Sequence, residues 1–206
     1  SILDIRATLN KTSPNFEILK QLAEEAFMPM SYGGGIYKVK DVEKIIKLGY
    51  EKIVLNTSAL ETPSIVKEIS NNFGSQSLII SLDFKKNFFG NYSFFSRSGT
   101  KEQKAKIYDI VKNLVDLGAG ELLLTSIDRD GSWNGYDIEF IKKITDLVNI
   151  PVIANGGAGN LQHIESAVKL GKVSAVSLGS MVVYQKKNMG VLINFPDKSD
   201  LSKVLN

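Results

Sequence analysis

Gly33-Gly34-Gly35-Ile36, with Glu43 and Lys47-Leu48-Gly49 downstream, returns 122 residues later as Asn155-Gly156-Gly157-Ala158 with Glu165 and Lys169-Leu170-Gly171. In the same ungapped register Val54 falls on Val176 and Ser58 on Ser180. Each copy reads as strand, glycine-rich turn, amphipathic helix, glycine, strand and small polar turn. A duplicated strand-helix-strand unit points to a parallel α/β barrel assembled from two halves. It also gives the chain two equivalent anion-binding corners, one per copy.

Outward from the repeat, strands and helices alternate. Strands are expected at Ile2–Ala7, Met28–Tyr32, Lys52–Asn56, Ser77–Asp83, Glu121–Ile127, Pro151–Ala154 and Ser174–Leu178. The run ending at Asp83 is apolar almost throughout, as expected of a strand covered on both faces. Helices are expected at Phe16–Ala26, Val39–Leu48, from Thr62-Pro63 to about Phe73, and at Lys104–Leu117, Ile138–Val148, Leu161–Leu170 and Leu201–Leu205. Apolar residues recur at helical spacing within them, and Asp137 is placed to cap the helix that follows it. Between Phe84 and Gly99 the alternation breaks. Turn chemistry at Lys85-Lys86-Asn87 and Gly90-Asn91 around Tyr92-Ser93-Phe94-Phe95 predicts a small hairpin over one rim.

The chain has 206 residues and 43% hydrophobic content, enough for one domain with a substantial core and slightly short for a complete eightfold barrel. Seven strands and an opening directly on an apolar segment predict a (βα)8 TIM barrel of the half-barrel duplication type that lacks its first βα unit. The expectation is a single barrel domain over residues 1–206, incomplete at its N-terminus. Cysteine is absent, which excludes thiolate metal sites and suits the cytoplasm. With that absence and a single histidine, no metal constellation and no cofactor are expected. Net charge is +3 with Lys and Arg scattered, which reads as a solvated surface and not as a nucleic-acid face. No apolar run approaches the length of a membrane span.

In parallel α/β barrels chemistry sits after the strands. The strand ends here carry Asp4, Gly33-Gly34-Gly35, Asn56-Thr57, Asp83, Thr125 with Asp128 and Asp130, Asn155-Gly156-Gly157 and Gly179-Ser180. A glycine-rich turn feeding a helix lets backbone N–H groups approach a phosphate; the plainer reading is a tight turn. Two aligned copies favour two phosphate sites and a long substrate bearing a phosphate at each end. Asp83 follows a buried apolar run, where a carboxylate is costly unless paired or used; it fits a general acid or base, and the plainer reading is a turn cap. If Asp128-Arg129-Asp130 stays extended, both acids face one side; one can be catalytic while another pairs with Arg129. His163 lies mid-helix and reads as a packing residue. Trp133 can cover a ligand or pack locally.

Thr125-Ser126-Ile127-Asp128-Arg129-Asp130-Gly131 carries a resemblance, preceded by Gly118-Ala119-Gly120-Glu121 and followed by Gly135-Tyr136-Asp137. Together with Ser31-Tyr32-Gly33-Gly34-Gly35-Ile36, Leu55-Asn56-Thr57 and Asn155-Gly156-Gly157-Ala158-Gly159, it closely resembles the cyclase (HisF-type) subunit of imidazole glycerol phosphate synthase over essentially the whole chain. The resemblance implies a lyase of histidine biosynthesis in the cytoplasm. Such a subunit takes ammonia from a partner glutaminase of the HisH type. It converts a bisphosphorylated formimino-carboxamide ribonucleotide into imidazole glycerol phosphate and aminoimidazole carboxamide ribonucleotide. The resemblance implies Asp83 as one of two acid/base aspartates and Asp130 as a further substrate-proximal acid. It puts Gly34, Gly35, Asn56, Thr57, Gly156, Gly157, Gly179 and Ser180 on the phosphate corners, Ser98 and Thr125 on the site lining, and Lys52 and Glu121 in the ammonia gate.

Two departures qualify these expectations. The family's first-strand aspartate has no counterpart here, so these residues alone are expected to be inactive. The tail from Val183 to Pro196 looks more like a paralogue branch found with surface-polysaccharide genes, in which ammonia goes to a sugar-linked acceptor to form an amidine. A non-catalytic phosphosugar-binding barrel is a third reading.

Overall fold

Asp4 cuts the first predicted strand short. In the computed structural model, which describes residues 1–185 and 189–205, its Oδ1 accepts the N–H groups of Arg6 and Ala7, both at 3.0 Å, and caps a helix. An aspartate satisfying the orphan donors of a first turn starts a helix where an apolar pattern alone suggests continued strand. The expected strand Ile2–Ala7 is therefore strand β1 (Ile2–Leu3) followed by helix α1 (Ile5–Asn10).

Along the chain there follow α2 (Phe16–Glu25), β2 (Ser31–Gly33), α3 (Val39–Lys47), β3 (Lys52–Leu55), α4 (Thr57–Glu61), α5 (Ser64–Phe73) and β4 (Leu78–Lys86). Then come β5 (Tyr92–Ser96), β6 (Lys101–Glu102), α6 (Ile107–Asp116), β7 (Glu121–Ser126), α7 (Ile138–Thr145), β8 (Val152–Asn155), α8 (Leu161–Lys169), β9 (Ala175–Val176), α9 (Ser180–Val183) and α10 (Lys198–Leu205). Hydrogen bonding follows the order β1-β2-β3-β4-β7-β8-β9. These are the seven strands expected from the sequence, and their alternation with helices is that of a TIM-barrel-like α/β fold. The expected hairpin is present, with β5 pairing both β4 and β6. Asn87 Oδ1 shapes its turn by accepting from Phe89 and Asn91 N–H. The short helices α1, α4 and α9 lie in segments the periodicity did not assign to helix. No described helix is long and apolar enough to cross a membrane.

The chain packs as two compact units, the first of residues 1–82 and 93–122, the second of residues 83–92 and the described residues from 123 onward. In the first, β1 to β4 run parallel, with Ile2 beside Tyr32, Tyr32 beside Ile53 and Ile53 beside Leu78. Val42 and Ile45 of α3, Val66 and Ile69 of α5 and Val111 and Leu114 of α6 are buried with Ile53, Leu55, Leu78 and Ile80 of the strands. Tyr50 meets Tyr32 edge-on at 6.2 Å and donates its hydroxyl to the Leu19 carbonyl at 3.1 Å.

In the second unit β8 and β9 are parallel, with Ile153 beside Ala175. Phe84, Tyr92 and Phe140 stack, their ring centres 4.1 and 4.5 Å apart across Phe140. Asp137 closes this stack. It caps α7 through the Phe140 N–H at 3.1 Å, as its position in the sequence suggested, and accepts the Tyr92 hydroxyl at 3.1 Å.

Gly120, just before β7, sits where a Cβ would lie 1.9 Å from the Ser75 carbonyl oxygen, while its own N–H donates to the Leu78 carbonyl at 3.1 Å. Backbone on both sides leaves no flexible atom to give way. Gly120→Ala is expected to destabilise the protein by about 1–3 kcal/mol, read as a lower denaturant midpoint at unchanged slope.

Candidate functional site

The period of two along a strand decides which side chains share a face. On β4, Leu78, Ile80, Leu82 and Phe84 are fully buried on one face. Ile79, Ser81 and Asp83 form the other, and Asp83 is half-buried there. Asp83 does not end the strand, as the apolar run suggested; β4 continues to Lys86 and into the hairpin. On β3 the same alternation puts Lys52 and the following Asn56 on one face at opposite ends, and on β7 it does so for Glu121 and Thr125.

In the first unit, Lys52 and Glu121 pair directly through Nζ and Oε1 where their strands begin. Both are well shielded, with 33% and 19% of their side-chain surface exposed. At the other end of β3, Asn56 Nδ2 donates to the carbonyls of Ser81 (3.0 Å) and Phe95 (3.2 Å). Its amide donors are thereby spent on the fold, leaving only its carbonyl oxygen and backbone for a ligand. Thr57 Oγ1 accepts the Arg97 N–H at 2.9 Å, and Ser98 Oγ donates to the Ile5 carbonyl at 2.9 Å. Thr57 and the turn carrying Ser98 are thus brought together.

A charged cluster the sequence did not reveal stands behind this turn. Glu61 Oε1 and Oε2 receive Arg97 Nε and Nη2 at 2.9 and 2.8 Å, and Oε1 also receives Ser96 Oγ at 2.9 Å and Lys101 Nζ at 3.2 Å. The Arg97 fork, with smaller help from Ser96 and Lys101, holds the Glu61 carboxyl down at about 2. A depressed carboxylate contributes stability above its ordinary value, and that contribution is lost as pH falls toward about 2. The partners are 36 and 40 residues from Glu61, beyond any local pattern.

In the second unit, Asn155 Nδ2 donates to Thr125 Oγ1 at 3.1 Å. Asp128 and Asp130 are not extended. Residues 127–130 form a turn, closed by Asp130 N–H on the Ser126 carbonyl at 2.9 Å. Asp-Arg-Asp-Gly is turn chemistry, and that outweighs alternation here. Arg129 pairs with neither neighbour. Its Nη1 donates to the carbonyls of Asn134 and Gly135, and its Nε lies 3.9 Å from Asp137. His163 is a packing residue, as expected; Nδ1 accepts the Gly159 N–H at 3.1 Å and its ring lies over Gly135. The Trp133 backbone presses on Gly159.

The glycines separate into two kinds. Gly34, Gly35, Gly156 and Gly157 all have positive φ, from +66° to +126°. A Cβ on them would meet Asp4 O at 2.5 Å, Thr12 O at 2.4 Å, Ser126 O at 2.8 Å and Gly135 O at 2.2 Å respectively. The fold itself requires glycine at all four. Gly179 differs. Its φ is −116°, outside the left-handed region, and among the described residues a Cβ there would meet nothing within 4 Å. Ser180 follows it as the first residue of α9.

The family model described as "Histidine biosynthesis protein" matches residues 1–188. The imidazole glycerol phosphate synthase subunit HisF of Alkaliphilus metalliredigens is 38% identical over 200 residues, covering 97% of this chain and 79% of that protein. The HisF subunit of Saccharolobus solfataricus is 42% identical over 173 residues, 84% of this chain and 68% of that protein. A Pseudomonas aeruginosa protein named provisionally as subunit hisF2 of the same synthase is 42% identical over 200 residues, 97% of this chain and 80% of its own length. The chain therefore belongs to the histidine biosynthesis protein family, among the HisF-type subunits of imidazole glycerol phosphate synthase.

Proposed function

We propose that the chain is the ammonia-accepting synthase subunit of a glutamine amidotransferase pair, and that it performs the cyclase reaction on a bisphosphorylated formimino-carboxamide ribonucleotide. The observation that carries this reading is the HisF-type family membership, held over nearly all of the chain. Asp83 supports it, being a half-buried carboxylate on the face of β4 that it shares with Ile79 and Ser81. In this reading Asp83 moves a proton as the ammonia nitrogen replaces the ribulosyl carbonyl oxygen, which leaves as water, and closes on the formimino carbon, from which aminoimidazole carboxamide ribonucleotide departs. Asp130 stands near the substrate, Thr125 and Ser98 line the site, and the corners at Gly34, Gly35, Asn56, Thr57 and at Gly156, Gly157, Gly179, Ser180 take the two phosphates.

Lys52 and Glu121 act as the gate through which a HisH-type glutaminase delivers ammonia. From Lys52 to Asn56 on the same strand face is four residues, about 13 Å, a short path from gate to chemistry. A second reading draws on the provisional names of several relatives and on the tail from Val183 to Pro196, of which residues 186–188 lie outside the described residues. There the acceptor is a sugar-linked group converted to an amidine, with gate and partner unchanged.

The deciding assay gives the full-length protein an ammonium salt and the bisphosphorylated nucleotide. Turnover is expected, with Asp83→Asn lowering kcat by about 10²–10⁴-fold. No turnover by the wild type, or an Asp83→Asn variant indistinguishable from it, overturns the cyclase reading; turnover of the sugar-linked acceptor instead supports the second. Lys52→Ala is expected to reduce glutamine-dependent turnover in the presence of the glutaminase more than ammonium-dependent turnover, and equal losses would remove the gate role. For the phosphate corners the informative variant is Gly179→Ala. A Gly157 substitution would report on folding instead, because of the Gly135 carbonyl 2.2 Å away. Gly179→Ala should keep the wild-type melting temperature and weaken phosphate binding by about 1–3 kcal/mol, measured by calorimetric titration.

A further inference from the structure

The two corners are copies in sequence but not in the side chains around them. At the 122-residue offset Thr57 corresponds to Gly179 and Glu61 to Val183. In the first unit Glu61 closes α4 and grips Arg97 by a two-bond fork. Such a fork fixes orientation as well as distance. Arg97 and Ser98 both adopt φ +53°, a left-handed backbone that non-glycine residues keep only where their surroundings impose it. Arg97 is held on both sides, by Glu61 at its side chain and by Thr100 Oγ1 on its carbonyl at 2.7 Å. From this fixed turn its N–H donates to Thr57 Oγ1. A hydroxyl that accepts one bond has its own proton left to give. Here that proton reaches Asn56 Oδ1 only at a long 3.3 Å.

We infer that Glu61 is a positioning residue that acts through Arg97 to aim the Thr57 hydroxyl at one phosphate of the substrate. The inference rests on the phosphate-corner reading above. It makes the corners unequal. The first grips through the hydroxyl of Thr57, held by the Arg97 N–H, where the second has Gly179 at the matching position. A substrate with two similar phosphates would then be bound in one orientation.

The test is a titration of the ¹⁵N-labelled full-length protein with inorganic phosphate, read at backbone amides of the two corners. In the wild type Thr57 and Arg97 are expected to shift as one group and Gly179 and Ser180 as another. Glu61→Gln should raise the apparent Kd read at Thr57 by about tenfold, the loss of one charge-assisted bond, and leave that read at Gly179 within about twofold. Arg97→Lys, which keeps the charge but not the fork, should act at Thr57 in the same direction and less strongly. An unchanged Kd at Thr57 in both variants, or an equal loss at both corners, overturns the positioning role while leaving the phosphate reading intact. If neither corner of the wild type shifts, the phosphate reading and this inference fall together.

Discussion

Side-chain alternation along a strand is the constraint from which the candidate site follows. Because successive residues point to opposite faces, one face of β3 carries Lys52 at its start and Asn56 just past its end, and β7 repeats this with Glu121 and Thr125. The other faces are filled with Ile53, Leu55, Leu122 and Leu124, all essentially inaccessible to solvent. Those leucines and isoleucines, packed under the helices, fix the pleat. The pleat in turn fixes which polar groups share a face. A slip of one residue would bury Lys52 and Glu121 in hydrocarbon and turn Asn56 and Thr125 away from the site end.

Much of this was legible in the sequence, for identifiable reasons. The short, nearly apolar run Leu78–Leu82, bounded by turn residues, fits a strand covered on both sides, and the glycine-headed repeat points to parallel β/α units. Asp137 was recognisable as a cap because a helical pattern begins immediately after it. Asp4 was not, because the apolar residues around it fit a strand as well as a helix, and only the two N–H groups it accepts decide between them. At Asp128–Asp130 alternation would hold only on an extended backbone, and the turn chemistry of Asp-Arg-Asp-Gly ends it there. The Glu61 cluster was out of reach altogether. Nothing in a chain of scattered charges marks Arg97 and Lys101 as its partners until the hairpin has folded them together.

The glycines show why a motif and its cause need separating. Gly34, Gly35, Gly156 and Gly157 attract the eye as phosphate-loop residues, yet the crowding of Asp4, Thr12, Ser126 and Gly135 around them is enough to require glycine. Their presence reports the fold. At Gly179 φ is negative and no described atom lies within 4 Å of where a Cβ would be, so the crowding that requires glycine at the other four positions is not found there. The two copies share one frame and differ in the side chains it carries, Thr57 and Glu61 in the first against Gly179 and Val183 in the second.

Gly159 has a practical consequence. The chain contains one tryptophan and one histidine, and both converge on it. The Trp133 carbonyl would lie 2.6 Å from a Cβ at that position, and His163 accepts its N–H. Gly159 follows Gly156-Gly157 by two residues. This stretch of chain therefore carries, without any labelling, an indole fluorophore and an imidazole ring trained on a single loop. Rearrangement of that loop would be seen in two spectroscopic signals, each from a side chain that occurs once in these 206 residues.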